Sequence, residues 1–100
     1  MVILAGVDVD EALLAAVCER YGVGRLLVFG SVARGTADAS SDVDVLYELR
    51  PGRRLGWEIE DLADDLAVLF GRPVDLVSAA GLHAMLRPAV LAEARPLYAA

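Results

Sequence analysis

Three aspartates stand where their carboxylates could act together. Asp42 and Asp44 are separated by one residue at the head of an apolar run, and Asp75 is the one acid inside another such run. Because strand residues two apart share a face, Asp42 and Asp44 point the same way, about 7 Å apart along the backbone. Asp75 joins them if its strand pairs beside theirs. Clustered carboxylates repel one another, so a hard divalent cation, above all Mg²⁺, is their natural partner.

Gly30 and Ser31 offer the complementary chemistry, since both could bind a phosphate. They end the apolar run 26–29 abruptly, and a glycine at that point lets the backbone turn sharply and approach a ligand closely. The amides that open the following helix form an anion site, and the Ser31 hydroxyl can cap that helix or donate to a phosphate. Phosphate donors on one side and metal ligands on the other suit a nucleoside triphosphate carried with Mg²⁺.

Two further polar residues in this stretch have open roles. Arg34 could hold a phosphate, because a guanidinium group matches phosphate oxygens, or it could form a structural ion pair with Asp38 or Asp42. Ser41 fits a turn or capping role better than a ligand contact. Both are kept as candidate nucleotide-binding residues.

The remaining chain supplies the elements that position these groups. Apolar residues recur at helical spacing between 8 and 21 and, most clearly, between 55 and 70. Short apolar runs indicate strands on either side of the candidate site. The pattern predicts strands over 25–29, 42–49 and 73–77, helices over 8–21, 32–37 and 55–70, a weak helical stretch over 81–86, a short helix ending near 94, and an extended piece over 96–98.

These elements predict one α/β (α+β) domain over residues 1–100, in which a small mixed β-sheet carries helices packed mainly on one face. The net charge is −6 and the nine basic residues are all arginines, so direct nucleic-acid binding is not expected. The single cysteine, Cys18, excludes an internal disulfide and fits a small buried side chain. Neither a signal peptide nor a membrane-spanning run is recognisable, which favours a cytoplasmic protein without a membrane partner.

Two other residues could carry function outside this site. Trp57 lies off the apolar stripe of its helix, so it either contacts a partner or packs on a neighbouring loop. His83 is the only histidine, and its position after the third strand fits an exposed or helix-end residue better than a catalytic base.

The order of the polar residues resembles a known signature. Gly30-Ser31, ten residues, then Asp42-Val43-Asp44 is similar to the signature of the polymerase-beta-like nucleotidyltransferase superfamily. The strings GSVARG, SDVDVL, GRPVDLV and AVLAEARPLY extend the similarity to the minimal nucleotidyltransferases over nearly the whole chain.

The resemblance implies roles for the candidate residues. Gly30 and Ser31 would bind the triphosphate, and Asp42 and Asp44 would hold two metal ions. Asp75 would complete one metal site and help to activate the attacking hydroxyl. The implied reaction is the Mg²⁺-dependent transfer of AMP from ATP to an acceptor hydroxyl.

The resemblance also implies a partner. Minimal nucleotidyltransferases commonly accompany a HEPN-domain toxin, an RNase, so the chain would be an antitoxin that binds such a toxin in a hetero-oligomer and adenylylates it, on a tyrosine. Two alternatives stay open. One is a non-catalytic antitoxin that acts by binding alone; the other is a small-molecule nucleotidyltransferase of the aminoglycoside-modifying type, which would need a second chain to complete its acceptor site.

Overall fold

The computed structural model describes residues 2–4, 7–35, 41–82, 85 and 87–100, and this part of the chain forms six strands and four helices. In chain order they are β1 (Val2–Leu4), β2 (Val7–Val9), α1 (Glu11–Tyr21), β3 (Val23–Phe29), α2 (Gly30–Arg34), β4 (Val43–Leu49), α3 (Glu58–Phe70), β5 (Val74–Ser78), α4 (Arg87–Glu93) and β6 (Arg95–Ala99).

A four-stranded mixed sheet in the order β5-β4-β3-β6 organises the fold. Strand β3 runs antiparallel to both β4 and β6, whereas β4 and β5 are parallel. The parallel pair is extended at both ends, because the Val43 amide donates to the Pro73 carbonyl and the Ala79 amide donates to the Tyr47 carbonyl, each at 2.9 Å. The three strands predicted around the candidate site are therefore neighbours in one sheet.

The two longer helices, α1 and α3, pack together and supply most of the apolar cover on one face of the sheet. Asp10 caps α1, since its carboxylate accepts hydrogen bonds from the amides of Ala12 and Leu13 at 3.0 and 3.2 Å. The resulting core joins alternate strand residues to one stripe of each helix. Its fully buried members include Leu14, Cys18, Leu26, Val28, Val43, Val45, Leu62 and Leu66. The predicted α+β architecture is confirmed.

A smaller apolar layer lies on the other face of the sheet. Leu27 and Leu46 are cross-strand partners there, and their exposed fractions are only 5% and 1%. Because strand residues alternate between faces, Asp44, Leu46 and Glu48 share this face of β4. The short helix α4 lies on the same side.

Several elements differ from the sequence-based expectation. The first predicted helix begins later, because Val7–Val9 forms the strand β2, which pairs with β1 and buries both valines. The expected extended piece near the end is the strand β6, paired with β3. The long helix α3 begins at Glu58, whose carboxylate accepts a hydrogen bond from the Gly56 amide at 2.8 Å.

Some predictions fall on residues outside the described part of the chain. The end of the predicted 32–37 helix and Asp38 lie there, as does His83. Within the described part, residues 81 and 82 form a turn.

Trp57 is 93% exposed, so the expectation that it packs on a neighbouring loop is wrong. None of the described helices combines the length and the apolar character that crossing a membrane requires.

Candidate active site

The sheet places two of the three predicted carboxylates side by side. Asp44 in β4 and Asp75 in β5 are direct partners across the parallel pair, whose strands lie about 4.8 Å apart. On its other side Asp44 is paired with Phe29, the last residue of β3. Asp42 precedes β4 and is exposed, two residues from Asp44. The sequence placed Asp75 in this cluster only if its strand pairs beside the strand of Asp44. The structure shows that pairing.

Asp44 is the carboxylate whose surroundings are most unusual. It is half-buried, and its pKa is raised because burial disfavours the ionised form and because the charges of Asp75 and Asp42 repel it. The positive charge of Arg34 acts in the opposite direction and does not cancel this rise. The cluster therefore has more negative charge than its own surroundings neutralise, which is the electrostatic situation that favours a bound cation.

The donor chemistry of this cluster fits Mg²⁺ delivered with a nucleotide. Within the described residues, no three acidic, histidine or cysteine side chains converge closely enough to hold a metal ion by themselves. Mg²⁺ is usually bound by one or two carboxylates together with substrate phosphates and water, not by a complete protein cage. Asp44 and Asp75, with Asp42 at the edge, supply oxygen ligands of that kind.

Gly30 brings the backbone into contact with Asp44. It follows the last residue of β3 and has φ +71°, a left-handed conformation that favours glycine. A Cβ atom at this position would collide with Oδ2 of Asp44 and lie 3.2 Å from its Cγ. Ser31 is half-buried one residue later in the single turn of α2. The candidate phosphate-binding turn and the candidate metal ligand thus touch.

The partner of Arg34 differs from the predicted ones. Its guanidinium donates to both carboxylate oxygens of Glu93 in α4, at 3.1 and 3.3 Å. Asp42 was an expected structural partner and is wrong in that role, because the last turn of α2 lies against α4 and directs Arg34 there. Glu93 was missed because it lies far along the chain, with no local signal in the sequence.

Arg72 is a second polar contact that sequence reasoning missed. Its Nε donates to the Ser41 carbonyl at 3.1 Å, so the loop between α3 and β5 holds the residue just before Asp42. This contact uses only the backbone of Ser41, so the expected roles of its side chain, in a turn or cap or in nucleotide contact, stay predictions. Arg72 follows the glycine that ends α3, and nothing local to it in the sequence points toward Ser41.

A cavity of about 430 Å³ lies farther along the same face of β4. Leu46 and Glu48 line it from β4, Ala79 and Ala80 from the turn after β5, and Leu91 from α4. Leu46 is two residues from Asp44 on that face, so the cavity begins about 7 Å along the strand from the carboxylates. Its walls are largely apolar, and two charged side chains also line it, those of Glu48 and of Arg87, whose guanidinium donates to the Ala79 carbonyl at 2.6 Å. The sequence alone did not indicate this cavity.

Comparisons with known proteins identify the family of this chain. Residues 11–98 match the nucleotidyltransferase domain family. The protein adenylyltransferase MntA of Thermococcus cleftensis is 41% identical over 75 residues, which cover 75% of each chain. A provisionally named protein adenylyltransferase of Methanocaldococcus jannaschii is 33% identical over 75 residues, or 75% of this chain and 80% of that protein.

Solved structures show the same fold. A provisionally named minimal nucleotidyltransferase has a TM-score of 0.72 and 47% identity, with 87% of each chain covered. A toxin–antitoxin complex crystallised with AMP-PNP also has a TM-score of 0.72, covering 91% of this chain and 74% of that one. Its identity is 22%, so that likeness is one of fold alone.

Proposed function

The chain belongs to the nucleotidyltransferase domain family, and from that premise we propose that it transfers AMP from Mg²⁺-bound ATP to a tyrosine hydroxyl of a HEPN-domain toxin, for which it is the antitoxin. One observation carries the proposal. Gly30 closes against Asp44 on one side while Asp75 lies beside Asp44 on the other. Phosphate-binding backbone and paired carboxylates are thus adjacent, as nucleotidyl transfer requires.

The triphosphate end of the nucleotide is assigned to the turn after β3. Because Gly30 has no side chain, the turn after β3 approaches the Asp44 carboxylate closely, so phosphate oxygens bound by this turn would lie beside the carboxylate. Ser31 would donate to those oxygens from the first turn of α2. Arg34 and Ser41 stay candidates for nucleotide contact, with Arg34 already oriented by Glu93.

The carboxylates are assigned to the reacting phosphate. Asp42 and Asp44 would hold Mg²⁺ with the nucleotide, and Asp75 would complete the ligand set beside the attacking hydroxyl. Bound there, the metal supplies charge for the leaving pyrophosphate and lowers the pKa of the attacking hydroxyl. The raised pKa of Asp44 supports this assignment, since it arises largely from burial and from the negative charge of the other two acids.

The acceptor and partner are proposed from the relatives. Two curated relatives are named as protein adenylyltransferases, and several structures with the same fold are toxin–antitoxin complexes, one of them of MntA with HepT. The net charge of −6 favours a positively charged protein surface as partner. A hetero-oligomer with the toxin and a cytoplasmic location remain predictions of the sequence.

The test uses the full chain, the partner toxin and ATP labelled at the α-phosphate. We expect Mg²⁺-dependent label on the toxin, lost when its acceptor tyrosine is changed to phenylalanine and lost in the Asp42→Ala/Asp44→Ala variant. Asp64→Asn, on the exposed side of α3, is the matched acidic control and should label the toxin as wild type does.

Two results would contradict the proposal. If the double variant protects cells from the toxin as well as wild type does, neutralisation is by binding alone. Label that appears on a small molecule but never on the toxin would instead identify a small-molecule nucleotidyltransferase.

A further inference from the structure

We propose that the cavity lined by Leu46, Glu48 and Leu91 binds the nucleoside of the donor nucleotide, and that Glu48 recognises the amino edge of its base. This inference rests on the proposed function, because it takes the phosphates to lie at Gly30 and Asp44. It adds the subsite and the residue that would select the base, neither of which follows from the carboxylates themselves.

The in-line geometry of the transfer reaction indicates which part of the nucleotide could occupy this cavity. Attacking and leaving oxygens lie in line on opposite sides of the reacting phosphorus. Across the sheet, Gly30 follows β3 on one side of Asp44, and Asp75 lies on the other side. With pyrophosphate leaving toward Gly30, the acceptor enters from the side of Asp75. The nucleoside leaves the reacting phosphorus to one side of this line, and the cavity beyond Leu46 is a space along β4 that could hold it.

The cavity has the size and the walls that a nucleoside needs. Its volume of about 430 Å³ is within the range of about 300–1,000 Å³ typical of small-molecule sites. Leu91, which is 46% exposed, offers apolar surface from α4, whereas Leu46 is almost fully covered, and the small side chains of Ala79 and Ala80 leave the space open. An aromatic base could pack one face against Leu91.

Glu48 is placed to read the far edge of the base. It lies four residues beyond Asp44 on the same face, about 13 Å along the strand, a span suited to an extended nucleoside monophosphate. Its carboxylate is 3.5 Å from the Arg25 guanidinium, and both side chains are about half exposed, at 50% and 51%. Such a pair is weak, so Glu48 can exchange it for a ligand. An ionised carboxylate only accepts hydrogen bonds, which favours an amino group such as that of adenine.

The test measures binding by calorimetry with three probes and no acceptor present. The probes are a non-hydrolysable ATP analogue, the matching purine analogue that lacks the 6-amino group, and inorganic tripolyphosphate, each with Mg²⁺. Ala80→Phe fills the cavity from the turn, and Leu91→Trp fills it from α4. Ala12→Phe, at an exposed site on α1, is the matched control.

Both filling variants should bind the ATP analogue at least about tenfold more weakly while tripolyphosphate binding stays unchanged. Glu48→Ala should lose the preference for ATP over the analogue without the amino group, a preference of about tenfold for one charge-assisted hydrogen bond. The control should behave as wild type does with all three probes.

Other outcomes overturn the inference. Filling variants that bind the ATP analogue as wild type does would show that the nucleoside does not occupy the cavity, and loss of toxin labelling in those same variants would assign the cavity to the acceptor. A preference for the amino group that survives in Glu48→Ala would remove Glu48 from base recognition. Wild-type protein that binds neither ATP nor tripolyphosphate would refute the proposed function itself, which distinguishes the two failures.

Discussion

At the scale of single residues, the contact between Gly30 and Asp44 decides what the site can accept. Two separate demands meet at Gly30: its φ of +71° favours glycine, and a Cβ atom there would collide with Oδ2 of Asp44. Gly52 has only the first of these two features. At Gly52, φ is +81° but nothing lies within 4 Å of an added Cβ. Comparing substitutions at Gly30 and Gly52 therefore separates the effect of backbone strain from the effect of the collision with Asp44.

We expect Gly30→Ala to abolish measurable binding of Mg²⁺ and an ATP analogue, because the new methyl group displaces the Asp44 carboxylate. Gly52→Ala should keep wild-type binding. Both variants should lose about 1 kcal/mol of stability from left-handed strain, with a further loss at Gly30 from the collision. Calorimetric titration and urea unfolding measure the two effects. Equal nucleotide affinity in the two variants would show that the close approach at Gly30 has no part in binding.

At the scale of elements, the strands around the site were predictable and their outer neighbours were not. Apolar runs identify β3, β4 and β5, whereas the place of β5 beside Asp44 was a condition that the sequence left open and that the structure meets. The strands β1 and β2 have three residues each, too few to show a period. Strand β6 contains Pro96, which cannot donate to the sheet and is tolerated at an edge. Its partner β3 is distant in sequence, so only the folded chain reveals the pairing.

Strand β6 should contribute to the free energy of unfolding even though its sequence shows little apolar alternation. Leu97 belongs to the buried core and is the residue at which the pairing with β3 shifts register. We expect Leu97→Ala to lower the free energy of unfolding by about 2–5 kcal/mol, the usual result of deleting a buried leucine side chain. The exposed Arg95→Ala variant in the same strand should change it by less than about 0.5 kcal/mol. Urea denaturation followed by circular dichroism compares them, and similar losses would mean that β6 does not pack as described.

The ion pair between Arg34 and Glu93 joins α2 to α4, so it also connects the nucleotide turn to one wall of the cavity. We expect Arg34→Ala to weaken binding of the ATP analogue about tenfold, because one guanidinium contact to phosphate is lost. Glu93→Gln should leave binding at or above the wild-type level, since it frees Arg34 for phosphate. Calorimetric titration of both variants measures this. If both weaken binding equally, Arg34 serves only to hold α4 in place.

At the scale of the whole molecule, the packing of α1 on α3 depends on groups that must stay neutral. The Tyr21 hydroxyl donates to Oδ2 of Asp65 at 2.6 Å and joins the two helices. This hydrogen bond is the main cause that raises the pKa of Tyr21 to about 12, with burial and the Asp65 charge adding to it and Arg20 opposing it. Burial raises the pKa of the Cys18 thiol, on the same helix, also to about 12. Ionisation of either group opposes the folded state.

The sign of the resulting pH dependence follows from linkage. A group whose pKa is higher in the folded chain binds its proton more tightly there, so its contribution to stability is complete below the unfolded pKa and is lost as pH rises through the folded pKa. For Tyr21 the interval runs from 10 to about 12, and for Cys18 from 9 to about 12. The free energy of unfolding should therefore fall progressively above pH 9 and most steeply where both groups titrate.

Tyr21→Phe separates the two contributions. At pH 7 the variant should be less stable than wild type by about 1–3 kcal/mol, because a hydrogen bond to a charged partner is lost. Between pH 10 and 12 its stability should decline less than that of wild type, since only Cys18 still titrates, and the two curves should approach each other. Urea unfolding at fixed ionic strength over pH 7–12 measures both curves. Parallel curves across the alkaline interval would show that the Tyr21 proton does not hold α1 to α3.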